Sequence, residues 1–393
     1  MPPSRLTIAQ RVKRTANVAR EVLSDLPLAI RTAYNARVGR RQSAVLVLTW
    51  RCTSRCQSCT AWKRPAQPES ELTTEQWLQI GRKLIARGVH SVELFGGDVL
   101  LRKETLFPLV RLFHEAGCLV HMPTNCNLLD EPTARELTEH LFFIYLSMDG
   151  LGEAQDACRG TEGSFSRVQR ALQLLIAARG DRPLPRLICN TTVSRGNAGQ
   201  LEAIAKFARQ MGFDEIHCEA VGQFEQDHVD RSHIGSEAPS PLYLRQGPSL
   251  LITPEQAPVL RDQLGRARKL AGTCNGLGRP FGVTTINIDV LSDENLTNGT
   301  VPPGRCNMER IKVIVDPFGR LVPCLFFDSF PVGDATNGGL DGDMDTPRRK
   351  LFRQHCNAGK LELCRHCSMF MERNRTGRTV LRRAAITGRL REV

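Results

Sequence analysis

The sequence predicts an α/β fold: a partial (βα)6 TIM-like barrel followed by a small C-terminal β-hairpin and helix region. Three observations carry this. Six short apolar, β-branched runs alternate with five helix-length amphipathic segments between residues 44 and 221, the pattern of parallel strands with right-handed crossovers. Past residue 290 the alternation gives way to a turn-rich stretch and then to a strand–turn–strand segment. At 393 residues, the chain has room for one large domain and an annex.

The elements follow in order. A basic helical extension over residues 1–43 comes first, with Val12, Ala16, Ala19, Leu23 and Leu26 at three- and four-residue steps and Arg11, Arg14 and Arg20 off that stripe. "AVLVLTW" (44–50) is the first strand, and "TTEQWLQIGRKLIARG" the helix after it, opened by Thr73 and closed by Gly88. "HSVELF", "CLVHMPT", "FFIYLSM", "RLICNTTV" and "EIHCEAV" are the next five strands. The helices between them cover 104–116, 131–140, "SFSRVQRALQLLIAAR" and "AGQLEAIAKFARQMG". Residues 222–252 form an excursion or lid, and 253–271 a further helix that brings the barrel to residue 272. Composition marks 273–303 as a linker, 304–370 as the small C-terminal domain and 371–393 as an Arg-rich tail.

The net charge of +12 sits at the ends: +7 over residues 1–45, +5 over 368–393, and zero between. A neutral body with 6% aromatics argues against nucleic acid as the main ligand. Basic ends are read first as solvated tails, and second as a docking surface for anionic lipid or a partner. No apolar run approaches the roughly 18 to 20 residues that span a bilayer, and the N-terminus lacks a secretory core. The expected setting is cytoplasmic, with membrane association through the basic helix as the alternative. In that setting fourteen cysteines mean metal or redox chemistry rather than disulfides.

Three of these cysteines stand just after the first strand as Cys52-x3-Cys56-x2-Cys59, at the end of the sheet where such folds place their chemistry. Structural zinc needs a fourth ligand, and none stands nearby in the usual spacing. A four-iron cluster held by three thiolates is the preferred reading, because its open iron is then a working position.

The stretch resembles the signature of the radical S-adenosylmethionine (SAM) superfamily, and further motifs follow in register over about residues 44–225. "ELFGGDVLL" resembles the family's Gly-Gly-Glu turn, which assigns Gly96, Gly97 and Asp98 to the amino group of SAM. "PTNCNLL" resembles its Thr-Asn-Gly and assigns Asn125. "LSMDGLGEAQDACRGTEGSF" resembles the block that places Ser147, Asp149 and Gly150 near the ribose and Arg159 at a carboxylate. Two departures stand out: Ser58 where the family has an aromatic residue, a space Trp62 is a candidate to fill, and Asp98 in place of Glu. The resemblance implies reductive cleavage of SAM to a 5′-deoxyadenosyl radical that abstracts a substrate hydrogen. It also implies a reductant protein such as a flavodoxin or ferredoxin.

A second set, Cys306-x12-Gly319-x4-Cys324 and Cys364-x2-Cys367, makes a complete four-thiolate site for zinc or a fully ligated cluster. Beside the first resemblance, this spacing is similar to the auxiliary-cluster domains called SPASM and twitch. That implies a second [4Fe-4S] cluster and a net oxidation, making the protein an oxidoreductase. Cys356 is read as a buried thiol, with replacement of one of the four ligands as the alternative. Cys118, Cys126, Cys158, Cys189, Cys218 and Cys274 are read as small core residues, and His114, His121 and His140 as surface or satisfied residues. Two substrate classes stay open: a peptide, and a small molecule such as a sugar, a cyclitol or a lipid-linked compound. A non-catalytic iron–sulfur or zinc protein whose basic ends bind nucleic acid or a partner is the alternative outside enzymology.

Overall fold

The computed structural model describes residue 12 and residues 43–302, 306, 308–342 and 344–369. Residue 12 aside, the basic N-terminal helix and the Arg-rich tail lie outside the described residues.

The first half alternates as expected: β1 (Ser43–Val47), α1 (Thr74–Ala86), β2 (Ser91–Phe95), α2 (Lys103–Glu115), β3 (Leu119–Thr124), α3 (Glu131–His140) and β4 (Phe143–Ser147). It continues with α4 (Glu153–Arg159), α5 (Ser164–Arg179), β5 (Arg186–Val193), α6 (Leu201–Met211), β6 (Glu215–Ala220), α7 (Gln226–Asp230) and α8 (Gln256–Arg268). Next come β7 (Gly282–Ile286), α9 (Asp293–Asn298), α10 (Met308–Ile311), β8 (Lys312–Val315), β9 (Arg320–Val322), β10 (Gly333–Asp334) and α11 (Pro347–Asn357). Local chemistry sets many of the boundaries. Thr73 and Gln76 cap α1 reciprocally, each side chain meeting the other's backbone N–H. Asp130 caps α3 by accepting from the N–H of Thr133 at 2.9 Å.

All ten strands form one sheet in the order β10-β9-β8-β1-β2-β3-β4-β5-β6-β7. β1 to β6 are parallel neighbours in chain order. Both edges differ from the sequence-based expectation. The stretch 273–303, read as a linker, contains β7, which extends the sheet in parallel beside β6. Its five residues, "GVTTI", are a short β-branched run just after Gly-Arg-Pro-Phe, and the turn-rich composition around them masks it. β8, from the C-terminal region, pairs in parallel with β1, and β9 joins β8 antiparallel. The C-terminal hairpin is therefore part of the main sheet and lies next to the strand that precedes the first cysteine group.

One sheet face packs on the helices around Trp77, Phe113 and Phe213, all fully buried. The other carries polar side chains: Glu93 on β2, His121 on β3, Tyr145 on β4, Asn190 and Thr192 on β5, and His217 and Glu219 on β6. A buried ion pair ties the outer layer to the sheet, with the Arg179 guanidinium 2.5 Å from Asp214, which also accepts from the N–H of Leu187 at 2.8 Å. Losing one partner of such a pair strands a buried charge.

Candidate functional site

The loop carrying Cys52, Cys56 and Cys59 leaves the C-terminal end of β1. Three sets of contacts hold it. At its base Glu71, 4% exposed in its side chain, joins Arg51 at 2.9 Å and Arg102 at 2.8 Å, and accepts the Thr49 hydroxyl at 2.5 Å. On one flank the Gly96–Asp98 turn runs alongside it: the Gly97 N–H donates to the Thr49 carbonyl at 2.9 Å and the Asp98 N–H to the Arg51 carbonyl at 2.8 Å. On the other flank the end of α4 docks, Arg55 N–H donating to the Arg159 carbonyl at 3.0 Å and Gln57 N–H to the Cys158 carbonyl at 3.1 Å.

The glycines of the turn have a steric reason. A Cβ on Gly97 would lie 2.3 Å from the Arg51 carbonyl oxygen and one on Gly96 2.4 Å from that of Thr49, so only bare backbone fits against the loop. Gly97→Ala is expected to destabilise the fold by roughly 2 to 3 kcal/mol by forcing backbone from backbone, and to lower iron uptake on reconstitution. Urea unfolding together with an iron assay checks this, and a variant matching the unaltered protein in both would contradict it.

The thiols themselves are surrounded by N–H donors. Ser54 N–H points at Cys52 Sγ (3.4 Å), Ala61 N–H at Cys59 Sγ (3.5 Å), Asn125 Nδ2 at Cys52 Sγ (3.8 Å), and the Arg159 guanidinium at Cys56 Sγ (3.9 Å). Burial pushes the Cys52 thiol up to about 12 and the Cys59 thiol to about 11, so as bare groups they hold their protons. A bound metal centre would deprotonate them, and these donors would then stabilise the thiolates. The donor set fits an iron–sulfur cluster. Among the described residues, no three His, Cys, Asp or Glu side chains stand close enough to hold a single metal ion.

The other residues singled out from the sequence gather around this loop. Asp98, 3% exposed, accepts from the Thr53 hydroxyl at 2.5 Å and the Leu100 N–H at 3.1 Å. Asn125 donates to Thr53 Oγ1 at 3.0 Å, as does Asn127, which also donates to Ser54 Oγ at 3.0 Å. Cys126 stands where the family motif has glycine, and its φ of +69° is a conformation glycine adopts freely. Asp149 pairs with Arg159 at 2.8 Å and accepts the Thr192 N–H at 2.8 Å, so Arg159 is engaged with Asp149 as well as Cys56. Ser147 ends β4, and its carbonyl accepts from Gln155 Nε2 at 3.1 Å. Trp62 is flanked by Arg55 and Lys63, 5.1 and 5.2 Å from its ring centre.

The second cysteine set converges too. Cys306, Cys324, Cys364 and Cys367 line one cavity of about 820 Å³, with Glu93 and Tyr243 on its wall, and Cys356 lines it with them. Of the six cysteines read as core, Cys118, Cys126, Cys189 and Cys218 are buried. Cys158 is half-buried and Cys274 is exposed, because the latter sits in a surface turn after α8. His121 is not on the surface: it stacks on Phe143 at 4.4 Å and lies 3.9 Å from Glu93.

Two residues of the polar face carry no motif. Glu219 accepts from the Thr192 hydroxyl at 3.4 Å, and burial, reinforced by the charge of Asp149, raises its carboxyl to about 7. Tyr243, half-buried against Phe326, is pushed well above its ordinary value by burial and by the charges of Glu219, Cys59 and Cys367. It lines the cavity of the second cysteine set. The alternation of Glu215, His217 and Glu219 along a buried strand was the one sequence signal for this polar face; for Tyr243 there was none.

With this geometry in hand, the chain can be set beside known proteins. Residues 46–213 match the model of the Radical SAM superfamily. The matched region begins within β1 and ends just before β6. A Fe-coproporphyrin III synthase of Methanosarcina barkeri (strain Fusaro / DSM 804) is 32% identical over 126 residues, 32% of this chain and 31% of that one. The sporulation killing factor maturation protein SkfB of Bacillus subtilis (strain 168) is 29% identical over 181 residues, 43% of this chain and 40% of that one. The matched part thus spans about a third to two-fifths of these curated relatives. Among solved structures, Streptococcus suis SuiB superposes with a TM-score of 0.59 at 15% identity, covering 86% of this chain and 76% of SuiB. Native anSMEcpe with bound AdoMet superposes with a TM-score of 0.57 at 17% identity, covering 89% and 100%. At these identities the structural likeness is one of fold. No helix among the described residues is long and apolar enough to cross a membrane.

Proposed function

We propose that the protein is a radical SAM enzyme that uses a three-cysteine cluster and a second, auxiliary cluster to oxidise or otherwise tailor a peptide or small molecule. The observation that carries this reading is the convergence on the Cys52–Cys56–Cys59 loop of the Gly96–Asp98 turn, Asn125 and the Asp149–Arg159 pair. Cys52, Cys56 and Cys59 would hold one cluster, and Cys306, Cys324, Cys364 and Cys367 the other. When bound, the first cluster would supply the electron for reductive cleavage of SAM, the chemistry that would let the enzyme remove a hydrogen atom from its substrate.

The chain's own residues supply position and environment. Gly96 and Gly97 bring backbone close to the loop, leaving Asp98 to orient a SAM amino group through its Thr53-linked carboxylate. Asp149, fixed by Arg159 and the Thr192 N–H, is placed for a ribose hydroxyl. The polar face, with Glu219, His217 and Tyr145, is where a substrate would lie, adjoining the cavity of the second cysteine set at Glu93.

A peptide is the leading substrate class. SkfB is a maturation protein, SuiB has been solved with its precursor peptide SuiA, and anSMEcpe with AdoMet and a peptide. Small-molecule tailoring is the second reading, favoured by the 32% identity to Fe-coproporphyrin III synthase. The basic extension remains a proposed contact for an anionic membrane surface or a partner, and a flavodoxin or ferredoxin the proposed reductant.

Anaerobic reconstitution with iron and sulfide, followed by dithionite and SAM, tests the enzyme reading. Dithionite-dependent 5′-deoxyadenosine is expected. Bound zinc with no SAM cleavage would support a non-catalytic protein instead.

A further inference from the structure

The second cysteine set holds one thiol more than a fully ligated cluster needs. Cys356 ends the helix α11, and Cys364 sits in the 3-10 turn Glu362–Arg365 that follows. Between them Gly359 adopts a φ of +66°, and the Lys360 N–H donates back to the His355 carbonyl at 3.1 Å, so the chain reverses on itself. The reversal brings Cys356 Sγ to 3.9 Å from Cys364 Sγ. Cys356 also hydrogen-bonds with Cys306, and Cys324 experiences the charges of Cys367, Cys306 and Cys356 alike. All five line the same cavity.

Two sulfurs at 3.9 Å are in van der Waals contact. Thiolates bound to two different irons of one cluster must stand farther apart, because the irons and bridging sulfides lie between them. As placed, Cys356 and Cys364 therefore offer one coordination place between them. We propose that Cys356 and Cys364 are interchangeable ligands for a single iron of the auxiliary cluster, with Cys306, Cys324 and Cys367 filling the other three places. The sequence spacing singles out Cys364 through its pairing with Cys367; the fold gives Cys356 equal access. This inference rests on the proposal that the second cysteine set holds a cluster, and the experiment separates the two.

Full-length protein is reconstituted anaerobically with iron and sulfide as the unaltered chain, Cys356→Ala, Cys364→Ala and the double variant. Iron and sulfide are counted, and the clusters are followed by Mössbauer spectroscopy. About eight irons are expected for the unaltered chain and for each single variant, and about four for the double variant. The cluster on the Cys52 loop remains in every variant and reports that the chain has folded. A fall to about four in Cys364→Ala alone would make Cys356 a bystander and overturn the proposal. A fall in both single variants would make them ligands of separate irons and overturn it equally, as would a double variant that keeps eight. If the unaltered chain takes up only about four irons, or zinc at the second set, the auxiliary-cluster reading fails and this inference with it.

Discussion

Replacing Cys52, Cys56 and Cys59 together by alanine will reduce dithionite-dependent 5′-deoxyadenosine formation to background and remove about four irons per reconstituted chain. The size of the effect follows from what these sulfurs do. Each would ligate a different iron, and N–H donors point at all three sulfurs. Without the sulfurs nothing on the loop can hold the metal. The flanking contacts, Glu71 with Arg51 and Arg102 and the backbone pairs to the Gly96–Asp98 turn, do not involve the sulfurs. The fold is therefore expected to survive, which a circular dichroism spectrum matching the unaltered protein would show. Cys324→Ala should behave differently, sparing SAM cleavage while lowering iron at the second set. If the triple variant still cleaves SAM, the catalytic centre lies elsewhere. If Cys324→Ala abolishes cleavage as fully as the triple variant does, the division of labour between the two sets is wrong.

Much of this arrangement could be read from the sequence because it is written in local terms. The strands β1 to β6 announce themselves as apolar runs, and their observed limits fall within a few residues of those runs. The first cysteine group is contiguous, and the Gly-Gly-Asp turn is a backbone requirement that only glycine meets at Gly97. The features that escaped depend on contacts distant in sequence. β7 is five residues long in a region of turn-forming composition, and becomes a strand by pairing with β6. β8 reads as one arm of a separate hairpin; only the folded chain shows it beside β1, some 270 residues earlier. Cys356, read as a buried thiol with replacement of a ligand as the alternative, has no motif to decide between the two, because its place beside Cys364 depends on a chain reversal at Gly359. Cys126, replacing a motif glycine at positive φ, shows the converse: the backbone geometry persists where the residue that usually provides it has changed.

Glu219→Gln is expected to stabilise the protein at pH 8 and to change its stability little at pH 5. The carboxyl of Glu219 is raised from 4.5 to about 7, first by burial and then by the charge of Asp149, with Glu93 adding to it. Hydrogen bonds from Thr192 and Asn190 offset only part of this, and Tyr243, the neighbouring titratable group, contributes no positive charge. The sign follows from the proton count. Between about pH 4.5 and 7 the folded state retains a proton that the unfolded chain has released, so stability declines as pH rises through that window and stays low above it. Glutamine keeps the shape and the hydrogen bonds without the charge. It should recover roughly 2 to 3 kcal/mol at pH 8, the pKa displacement converted at about 1.4 kcal/mol per unit and reduced for partial exposure. Anaerobic urea unfolding of the two proteins at pH 5 and pH 8 measures this as a difference of differences. A glutamine variant that is less stable at pH 8 would mean the carboxylate has a cationic partner in the folded protein. The expected outcome would instead identify a buried carboxylate held at a stability penalty on the face proposed for substrate, one placed to take a proton or a cationic group from a bound molecule.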